Sequence, residues 1–350
     1  MNKILLFVVV VLVFGAHAYQ NRANGSANLI PGKFRIMFYN VENLFDTRDD
    51  PKKNDNEFLP GSKKKWNIFR YKEKLNKIFQ VVTAVGEGIP PDLIGLCEVE
   101  NRYVLYDLVS ETPLLKYNYR FLHNESPDAR GIDVALLYNP ATVSVIDTSF
   151  INISPAGNDA FLTREILYAM LEVFSGDTLH VFVNHWPSRY GGEKASRPKR
   201  IIAANILKHA TDSLLTLNAG SKIIVMGDFN DNPGDDSMKE ILGARCPDRT
   251  ITKQTLYNLM CDIAKDSNKG TLKYRSEWSV YDQIIVSGSL LLNEGKMRTG
   301  IDQARIYQNE FLLEKDQKYM GEKPFRTYHG PAYHGGYSDH LPVYTDLFLY

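Results

Sequence analysis

Eight short runs rich in β-branched and aromatic residues constrain this chain more than any other feature of its sequence. They lie at 34–40, 92–99, 133–139, 164–173, 179–186, 221–229, 281–287 and 341–349. Runs of this length and composition, with polar residues at their ends, are typical of β-strands. Because no internal repeat and no Pro/Ser-rich linker divides the chain, the runs predict a single strand-rich α/β domain.

Amphipathic stretches between these runs predict a few helices. In the clearest stretch, 66–85, an apolar face lies opposite a lysine-rich face. The apolar face comprises Ile68, Tyr71, Leu75, Ile78, Phe79 and Val82, and the polar face comprises Lys72, Lys74 and Lys77. Further helices are predicted at 199–217 and around 236–242, and a long loop is predicted at 46–65.

The first 18 residues have the pattern of a secretory signal. Lys3 precedes an apolar run of 13 residues from Ile4 to Ala16, which ends in the small-x-small triplet Ala16-His17-Ala18. The run is short for a membrane span, so an uncleaved anchor is the weaker alternative. The predicted divisions are a signal peptide at 1–18, a lead-in at 19–33 and one domain at 34–350. We expect a periplasmic or extracellular protein without stable membrane insertion.

The charge balance restricts the partners that this chain can bind. The sequence has 41 basic and 41 acidic residues, and 44% of its residues are hydrophobic, which suits a large core and excludes a disordered protein. A neutral chain lacks the basic excess that drives general nucleic-acid binding. Nucleic-acid chemistry here would therefore need a metal ion and a local basic patch, such as Lys63–Lys65 or the basic residues between Arg189 and Arg200. No protein partner can be inferred.

The chain has three cysteines, Cys97, Cys246 and Cys261. Cys97 lies within an apolar run and is predicted to be a small buried core residue. Export would permit a disulfide, and Cys246 and Cys261 are close enough in sequence to form one. Spacing alone leaves the bridged and the reduced forms equally open.

Polar residues that suit metal and phosphate chemistry cluster at the ends of the predicted strands. They are Asn40, Glu98, His185, Asp228, Asn230, Asp282, Asp339 and His340. Carboxylates and amides at successive strand ends can meet at one edge of a sheet. Hard divalent cations prefer such oxygen ligands, and a phosphoryl group needs imidazole and amide donors around it.

Seven motifs resemble those of a known family. In chain order they are YNVENLFD, LCEVEN, RGIDVALLY, VNHWPSR, MGDFND, YDQIIVS and SDHLPV. Together they resemble the DNase I-like endonuclease/exonuclease/phosphatase superfamily, most closely its exported bacterial branch, from about Phe34 to Phe348. The resemblance implies an α/β (α+β) four-layer sandwich, in which two packed mixed β-sheets are flanked by helices. It also implies a metal-dependent phosphoesterase site on one rim.

The resemblance further implies a metal site. Glu98 would be the principal Mg²⁺ ligand, and Asn40 and Asp339 would complete or support the site. Mn²⁺ or Ca²⁺ could take the place of Mg²⁺. The number of metal ions is left open.

The same resemblance implies the catalytic roles. Asp228 would orient and deprotonate the attacking water, and Asn230 and His185 would donate hydrogen bonds to the phosphoryl oxygens. His340 would lie on the same phosphate, with its ring oriented by Asp282. These roles suit phosphodiester cleavage, which needs neutralised oxygens, an in-line water and a stabilised leaving group.

Other chemistries find less support in the sequence. The segment GDFNDNPGDD fails as a calcium loop, because Pro233 and Lys239 occupy the positions that need Gly and Glu. The histidines His329, His334 and His340 could suggest zinc, but no HExxH motif or CxxC pair supports it. The sequence contains neither GxSxG nor GxxxxGK[ST], so serine-hydrolase and P-loop chemistry lack their defining turns.

The sequence indicates the type of reaction but leaves several classes of substrate open. Arg130 and Arg189 are candidates for contacts with substrate phosphate, and structural ion pairs are the alternative for Arg130 and Arg164. The first hypothesis is an exported endonuclease that hydrolyses DNA or RNA with little sequence selectivity. The second is a phosphatase or phosphodiesterase of the same fold that acts on a lipid headgroup, inositol phosphate or nucleotide. The remote third is a non-catalytic binding module.

Overall fold

The structure, a computed structural model, describes residues 32–154, 162–292 and 294–350. The predicted signal peptide lies outside these residues, as does nearly all of the predicted lead-in. No helix in the described part of the chain is both long enough and apolar enough to cross a membrane.

Strands dominate the described residues. In chain order they are β1 (Lys33–Leu44), β2 (Leu93–Val99), β3 (Arg120–His123), β4 (Asp133–Tyr138), β5 (Val143–Ile151), β6 (Ile166–Val173), β7 (Thr178–His185), β8 (Ile223–Asp228), β9 (Leu256–Asn258), β10 (Leu272–Tyr274), β11 (Glu277–Ser279), β12 (Asp282–Ser287), β13 (Met297–Arg298), β14 (Arg305–Ile306), β15 (Leu313–Lys315), β16 (Glu322–Pro324), β17 (Tyr328–His329), β18 (Ala332–Tyr333) and β19 (Val343–Leu349). The helices are α1 (Ile68–Val85), α2 (Arg102–Ser110) and α3 (Glu193–Leu217), with short helical turns at Asn56–Phe58, Pro113–Tyr117, Ser237–Leu242, Ile263–Lys265, Gly288–Leu290 and Glu310–Leu312.

The larger strands form two mixed sheets. The first has the order β13-β19-β1-β2-β4-β3, with β14 also paired to β19, and the second has the order β5-β6-β7-β8-β12-β9. In each sheet one central pair is parallel, β1 with β2 and β7 with β8. The remaining strands of the described chain form the small hairpins β10–β11, β15–β16 and β17–β18.

The two sheets pack face to face and are covered by helices on the outside. Phe38, Leu136, Val181, Met226 and Ile284 lie in the core between the sheets. A second core packs α1 and α2 against the outer face of the first sheet, and a third packs α3 against the second sheet. This arrangement confirms the predicted four-layer sandwich of two mixed sheets flanked by helices.

All eight predicted strands are present, and 46–65 is a loop with one short helical turn. The other eleven strands of the described residues were not predicted; ten of them have two to four residues, and β5, with nine, is the long one. Its central residues are mostly exposed, so its sequence lacks the apolar content by which the other long strands were recognised. Helix α3 begins at Glu193, six residues before the predicted start, and therefore contains Pro198.

Helix α1 confirms the predicted helix at 66–85 but corrects the position of one lysine. Asn67 caps the helix, because its side chain accepts hydrogen bonds from the N–H groups of Phe69 and Arg70. Lys74, predicted on the polar face, is only 2% exposed. Its ammonium donates to Thr327 Oγ1 at 2.7 Å and to the Tyr337 carbonyl at 2.6 Å. The C-terminal segment thus covers this position, which local periodicity cannot reveal.

The structure joins Cys246 and Cys261 in a disulfide and leaves Cys97 as a free, buried thiol. The burial of Cys97 confirms its predicted place in the core. The bridge joins the segment after Ser237–Leu242 to the segment after β9, at one edge of the second sheet.

We expect the double substitution Cys246→Ser/Cys261→Ser to lower the free energy of unfolding by about 3 kcal/mol, because the bridge closes a short loop in the unfolded chain. Urea unfolding of the variant and of the wild type, each with and without reductant, measures the change. A wild-type midpoint that reductant does not alter, together with two free thiols in the unreduced protein, would contradict the bridge.

Candidate active site

Strand register places three polar side chains in one row across the second sheet. His185, the last residue of β7, pairs with Asp228, the last residue of β8, and Asp228 in turn pairs with Asp282, the first residue of β12. Directly paired residues point to the same face of a sheet. Gly227 permits this close pairing, because a Cβ there would lie 2.4 Å from the Asn184 carbonyl oxygen.

The first sheet contributes residues to the same rim. Asn40 pairs with Cys97 near the ends of the parallel strands β1 and β2, so Glu98 follows at the same edge. Strand β19 runs antiparallel to β1, with Val343 opposite Phe38. The segment that precedes β19, with Asp339 and His340, therefore reaches this edge as well.

At this rim, the Asp228 carboxylate contacts side chains from both sheets. Its Oδ2 atom is 3.8 Å from Nε2 of His185 and 3.8 Å from Nε2 of His340. The Asn40 amide donates to the same oxygen at 3.1 Å. On the other side of the His340 ring, Nδ1 lies 2.6 Å from Asp282 Oδ2. One buried carboxylate oxygen thus contacts two imidazoles, one of which is paired with a second carboxylate.

The turn after β8 positions Asn230 beside this cluster. Asn230 has a left-handed backbone, with φ of 54°, and its N–H donates to Asp228 Oδ1 at 3.0 Å. Its side-chain amide donates to the Trp186 carbonyl at 3.1 Å, and Arg164 donates to the same carbonyl at 2.7 Å. The structure therefore brings six predicted residues together: Asn40, His185, Asp228, Asn230, Asp282 and His340.

The two histidines differ in charge because their neighbours differ. Burial, together with the positive charges of Arg164 and Arg130, holds the pKa of His185 well below its usual value. Burial also opposes charge on His340, but the carboxylates of Asp282 and Asp228 outweigh burial and raise its pKa well above the usual value. The fold therefore favours the neutral form of His185 and the protonated form of His340.

Burial also changes the basicity of Asp228. It raises the pKa of this carboxyl to about 7, and the charge of His340 and the hydrogen bonds from Asn230 and Asn40 offset part of that effect. A carboxylate with a pKa near neutrality can hold and release a proton at physiological pH. The cluster can therefore accept a proton at Asp228 beside a positively charged donor.

Glu98 and Asn40 supply side-chain oxygen atoms of the kind that bind metal ions, next to the cluster. At Glu98 the backbone is left-handed, with φ of 62°, where the pairing of β2 with β4 shifts register. A bulge of this kind redirects a side chain. The Asn43 N–H donates to Glu98 Oε2 at 2.9 Å, and the Glu42 N–H donates to Asn40 Oδ1 at 3.0 Å.

Asp339 lies in an ion-pair network that the sequence did not predict. Arg326 donates to Asp339 Oδ2 at 2.9 Å and to Glu42 Oε1 at 3.0 Å, and the Thr327 N–H donates to Glu42 Oε2 at 2.7 Å. The positive charges of Arg326, His340 and Lys74 outweigh burial and lower the pKa of Asp339. No local pattern around Arg326 indicated its pairing with Glu42, because that partner is distant in sequence.

The donor chemistry of this rim fits a divalent cation. Glu98 and Asp339 offer carboxylate oxygens and Asn40 an amide oxygen. Asn40 lies in β1, Glu98 is the penultimate residue of β2 and Asp339 precedes β19, and these three strands are adjacent. In addition, Asp228, Asp282 and His340 have ligand atoms within 4.8 Å of one another. The side chains present are therefore suited to a hard metal ion at this rim.

The arginines proposed for substrate contact lie in different surroundings. Arg130 precedes β4 and has a side chain that is 49% exposed, with Nε 3.7 Å from Asp128. Arg189 donates to the Asn230 carbonyl at 2.8 Å and to Asp231 and Asp235 at 2.8 and 2.5 Å. The guanidinium of Arg189 is thus engaged in holding the Asn230 turn. Arg164 is buried and paired with Asp128 at 3.0 Å, as the structural alternative predicted.

The three histidines considered for zinc do not form one group. His340 belongs to the cluster around Asp228, whereas His329 and His334 lie beside Glu314. In that second group, the Lys323 ammonium is 3.3 Å from His329 and 3.6 Å from Glu314. A lysine so close to both groups disfavours a cation there.

Comparisons with known proteins agree with this architecture. The sequence profile described as "Endonuclease/Exonuclease/phosphatase family" matches residues 35–348. No curated protein sequence matches the chain significantly.

Solved structures with the same fold share little sequence with it. The human Nocturnin catalytic domain with bound sulfate is 15% identical, with a TM-score of 0.55 over 92% of this chain and 96% of that one. The mannosyl-6-phosphatase of Bacteroides thetaiotaomicron VPI-5482 is 15% identical, with a TM-score of 0.56 over 90% and 99%. The D. rerio TDP2 complexed with single-strand DNA product is 14% identical, with a TM-score of 0.53 over 90% and 98%. Because the profile spans nearly all of the described residues, this chain belongs to the endonuclease/exonuclease/phosphatase family, whose members hydrolyse phosphoesters.

Proposed function

We propose that this protein is a divalent-metal-dependent phosphodiesterase that cleaves nucleic acid by in-line attack of water. The observation that carries the proposal is the convergence of two imidazoles on Asp228 Oδ2, each with Nε2 at 3.8 Å. The pKa values of the two rings are shifted in opposite directions, which suits them to different tasks. Phosphoester hydrolysis needs a base, hydrogen-bond donors to the phosphoryl oxygens and positive charge where negative charge develops. This rim offers all three kinds of group.

Each residue of the cluster has one proposed task. Asp228 accepts the proton of the attacking water, because its raised pKa makes it basic near neutral pH. The imidazolium of His340 stabilises charge on the phosphoryl group, and Asp282 keeps its ring in position through Nδ1. Neutral His185 and the Asn230 amide donate to the phosphoryl oxygens.

The proposed metal is Mg²⁺, with Mn²⁺ or Ca²⁺ as alternatives. Glu98, Asn40 and Asp339 would hold it. A bound cation supplies Lewis-acid neutralisation of the phosphoryl oxygens. The Arg326 guanidinium already compensates part of the charge of Asp339, so Glu98 is the proposed principal ligand.

Nucleic acid is the first candidate substrate, and an endonuclease with little sequence selectivity is the proposed form of the activity. One structural neighbour carries a single-strand DNA product. Of the basic run Lys63–Lys65, Lys63 and Lys64 line a pocket with Glu42 and Asn43 and offer charge for backbone phosphates.

A small phosphoester is the second candidate substrate. A pocket of about 710 Å³ borders Glu42 and Asn43 and includes the aromatic residues Phe58 and Tyr328 in its lining. A pocket of this size can enclose a nucleotide, an inositol phosphate or the headgroup of a lipid. The zero net charge of the chain also favours a small ligand over a long polyanion.

Export to the periplasm or beyond stays part of the proposal. It rests on the signal-like pattern at 1–18, which lies outside the described residues.

Supercoiled plasmid incubated with purified protein 19–350 and Mg²⁺, with EDTA as the control, tests the proposed function. We expect nicking or degradation that EDTA abolishes. Intact plasmid together with metal-dependent hydrolysis of nucleotides or inositol phosphates would favour the second candidate. Failure to bind Mg²⁺ or Mn²⁺, with no hydrolysis of any phosphoester, would instead favour a non-catalytic binding module.

A further inference from the structure

A second, strongly basic pocket adjoins the candidate active site. Its volume is about 270 Å³. Its lining includes five cationic side chains, those of Lys273, Arg275, Lys318, Lys323 and Arg326, but only the two carboxylates of Asp316 and Asp339. The lining therefore has a net excess of three positive charges, although the whole chain has a formal net charge of zero. Such a local excess favours an anionic ligand.

The pocket shares Asp339 with the candidate active site and lies next to the cluster around Asp228. Asp339 lines the pocket, and the next residue is His340, which lies 3.8 Å from Asp228. The hairpin β10–β11, whose tip contributes Arg275, contacts the same segment through a backbone bridge between Leu272 and His340. A ligand group in the pocket would therefore lie beside the phosphoester that the cluster is proposed to cleave.

The cations of the pocket divide into an engaged set and an available pair. Lys273 is held by Asp316 at 3.3 Å, Lys323 lies 3.6 Å from Glu314, and Arg326 binds Asp339. In residues 32–154, 162–292 and 294–350 no carboxylate partner is found for Arg275 or Lys318. Each of these two cations lies over a tyrosine ring, at 5.3 Å for Arg275 and 5.2 Å for Lys318.

We propose that this pocket binds a second phosphate group of the substrate, through Arg275 and Lys318. The inference rests on the proposed function and names a substrate class for it: a phosphoester that carries another phosphate next to the cleaved one. A guanidinium and an ammonium presented from separate loops can hold a phosphate from two sides. The second phosphate belongs either to the flanking nucleotide of a nucleic acid or to a small bisphosphate.

The test compares substrates that differ only in the second phosphate. The pairs are dithymidine monophosphate with and without a terminal 5′ or 3′ phosphate, and inositol 1,4-bisphosphate against inositol 1-phosphate. In Arg275→Gln/Lys318→Gln, we expect kcat/KM to fall by about tenfold or more for the substrates with a second phosphate, mainly through KM. For the single-phosphate partners it should stay within about twofold. The pair that responds identifies the source of the phosphate.

A matched control loses the same charges elsewhere. The exposed residues Lys116 and Arg249 line neither pocket, so Lys116→Gln/Arg249→Gln should leave kcat/KM for every one of these substrates near that of the wild type. An unchanged preference for the second phosphate in Arg275→Gln/Lys318→Gln would overturn the pocket assignment, while the proposed function would stand.

Binding of pyrophosphate in EDTA keeps the two proposals separate. We expect calorimetric affinity for pyrophosphate to fall at least about fivefold in Arg275→Gln/Lys318→Gln and to be unchanged in the control. If the wild type cleaves no phosphoester, the proposed function fails, and this titration alone decides on the pocket. Equal pyrophosphate affinity in both variants would then refute the pocket assignment.

Discussion

Asp228→Asn is expected to reduce kcat by at least about 10², because the amide cannot accept the proton of the attacking water. Asp228 is buried, receives hydrogen bonds from Asn40 and Asn230 and contacts both imidazoles, so the isosteric amide preserves its shape while removing its charge. Hydrolysis of bis(4-nitrophenyl) phosphate in Mg²⁺ measures the change. Asp147→Asn, an exposed aspartate on β5, is the matched control.

The same substitution should not unfold the protein. Burial raises the pKa of Asp228 from 3.8 to about 7, so the folded state favours the protonated carboxyl. Its contribution to stability is therefore complete below about pH 4 and is lost as the pH rises through about 7. Because an amide stays neutral, the thermal midpoint of Asp228→Asn at pH 8 should equal or exceed that of the wild type. A folded variant that retains turnover within a few-fold would refute the role of Asp228.

Asp282→Asn should reduce kcat by about 10² through its effect on His340. Asp282 Oδ2 lies 2.6 Å from His340 Nδ1 and is one of the carboxylates that raise the pKa of that imidazole. Without the carboxylate the ring loses its proton at lower pH, so the alkaline limb of the kcat profile should move to lower pH. The double variant Asp282→Asn/His340→Gln should be no slower than His340→Gln alone.

A structural role for Asp282 would give a different result. Asp346 forms an ion pair with Arg35 at 2.7 Å, outside the cluster around Asp228, and provides the comparison. Asp346→Asn should reduce the thermal midpoint and leave the pH profile unchanged. If Asp282→Asn behaves in the same way, then Asp282 supports only the fold. If instead its effect adds fully to that of His340→Gln, the two residues do not act together.

The strands of this protein could be predicted because their signal is local. Runs such as 221–229 contain adjacent β-branched residues that pack between layers, and eight of them were recognised on that basis. The sequence did not predict strand β5, because this strand lies at the edge of its sheet and its residues are mostly exposed. Lys74 was assigned to a solvated face because helical periodicity does not include the distant segment that covers it.

The candidate site, like the fold, could be predicted from the sequence only in part. Strand-end polar residues and family motifs indicated which side chains would meet at the rim, since residue type and position along a strand are written in the chain. The pairing of Arg326 with Glu42 could not be predicted, because 284 residues separate the two side chains in the sequence. The engagement of Arg189 by Asp231 and Asp235 likewise became visible only in three dimensions.

The amino-acid sequence was enough to indicate the strands, the carboxylates and imidazoles near their ends, and the family to which the chain belongs. The acidity of each group, in contrast, depends on the folded arrangement. His185 and His340 are the same residue type, yet the pKa of His185 is lowered and that of His340 is raised. The physical reason is that burial and the nearest charges set a pKa, and in a folded chain those neighbours come from other strands.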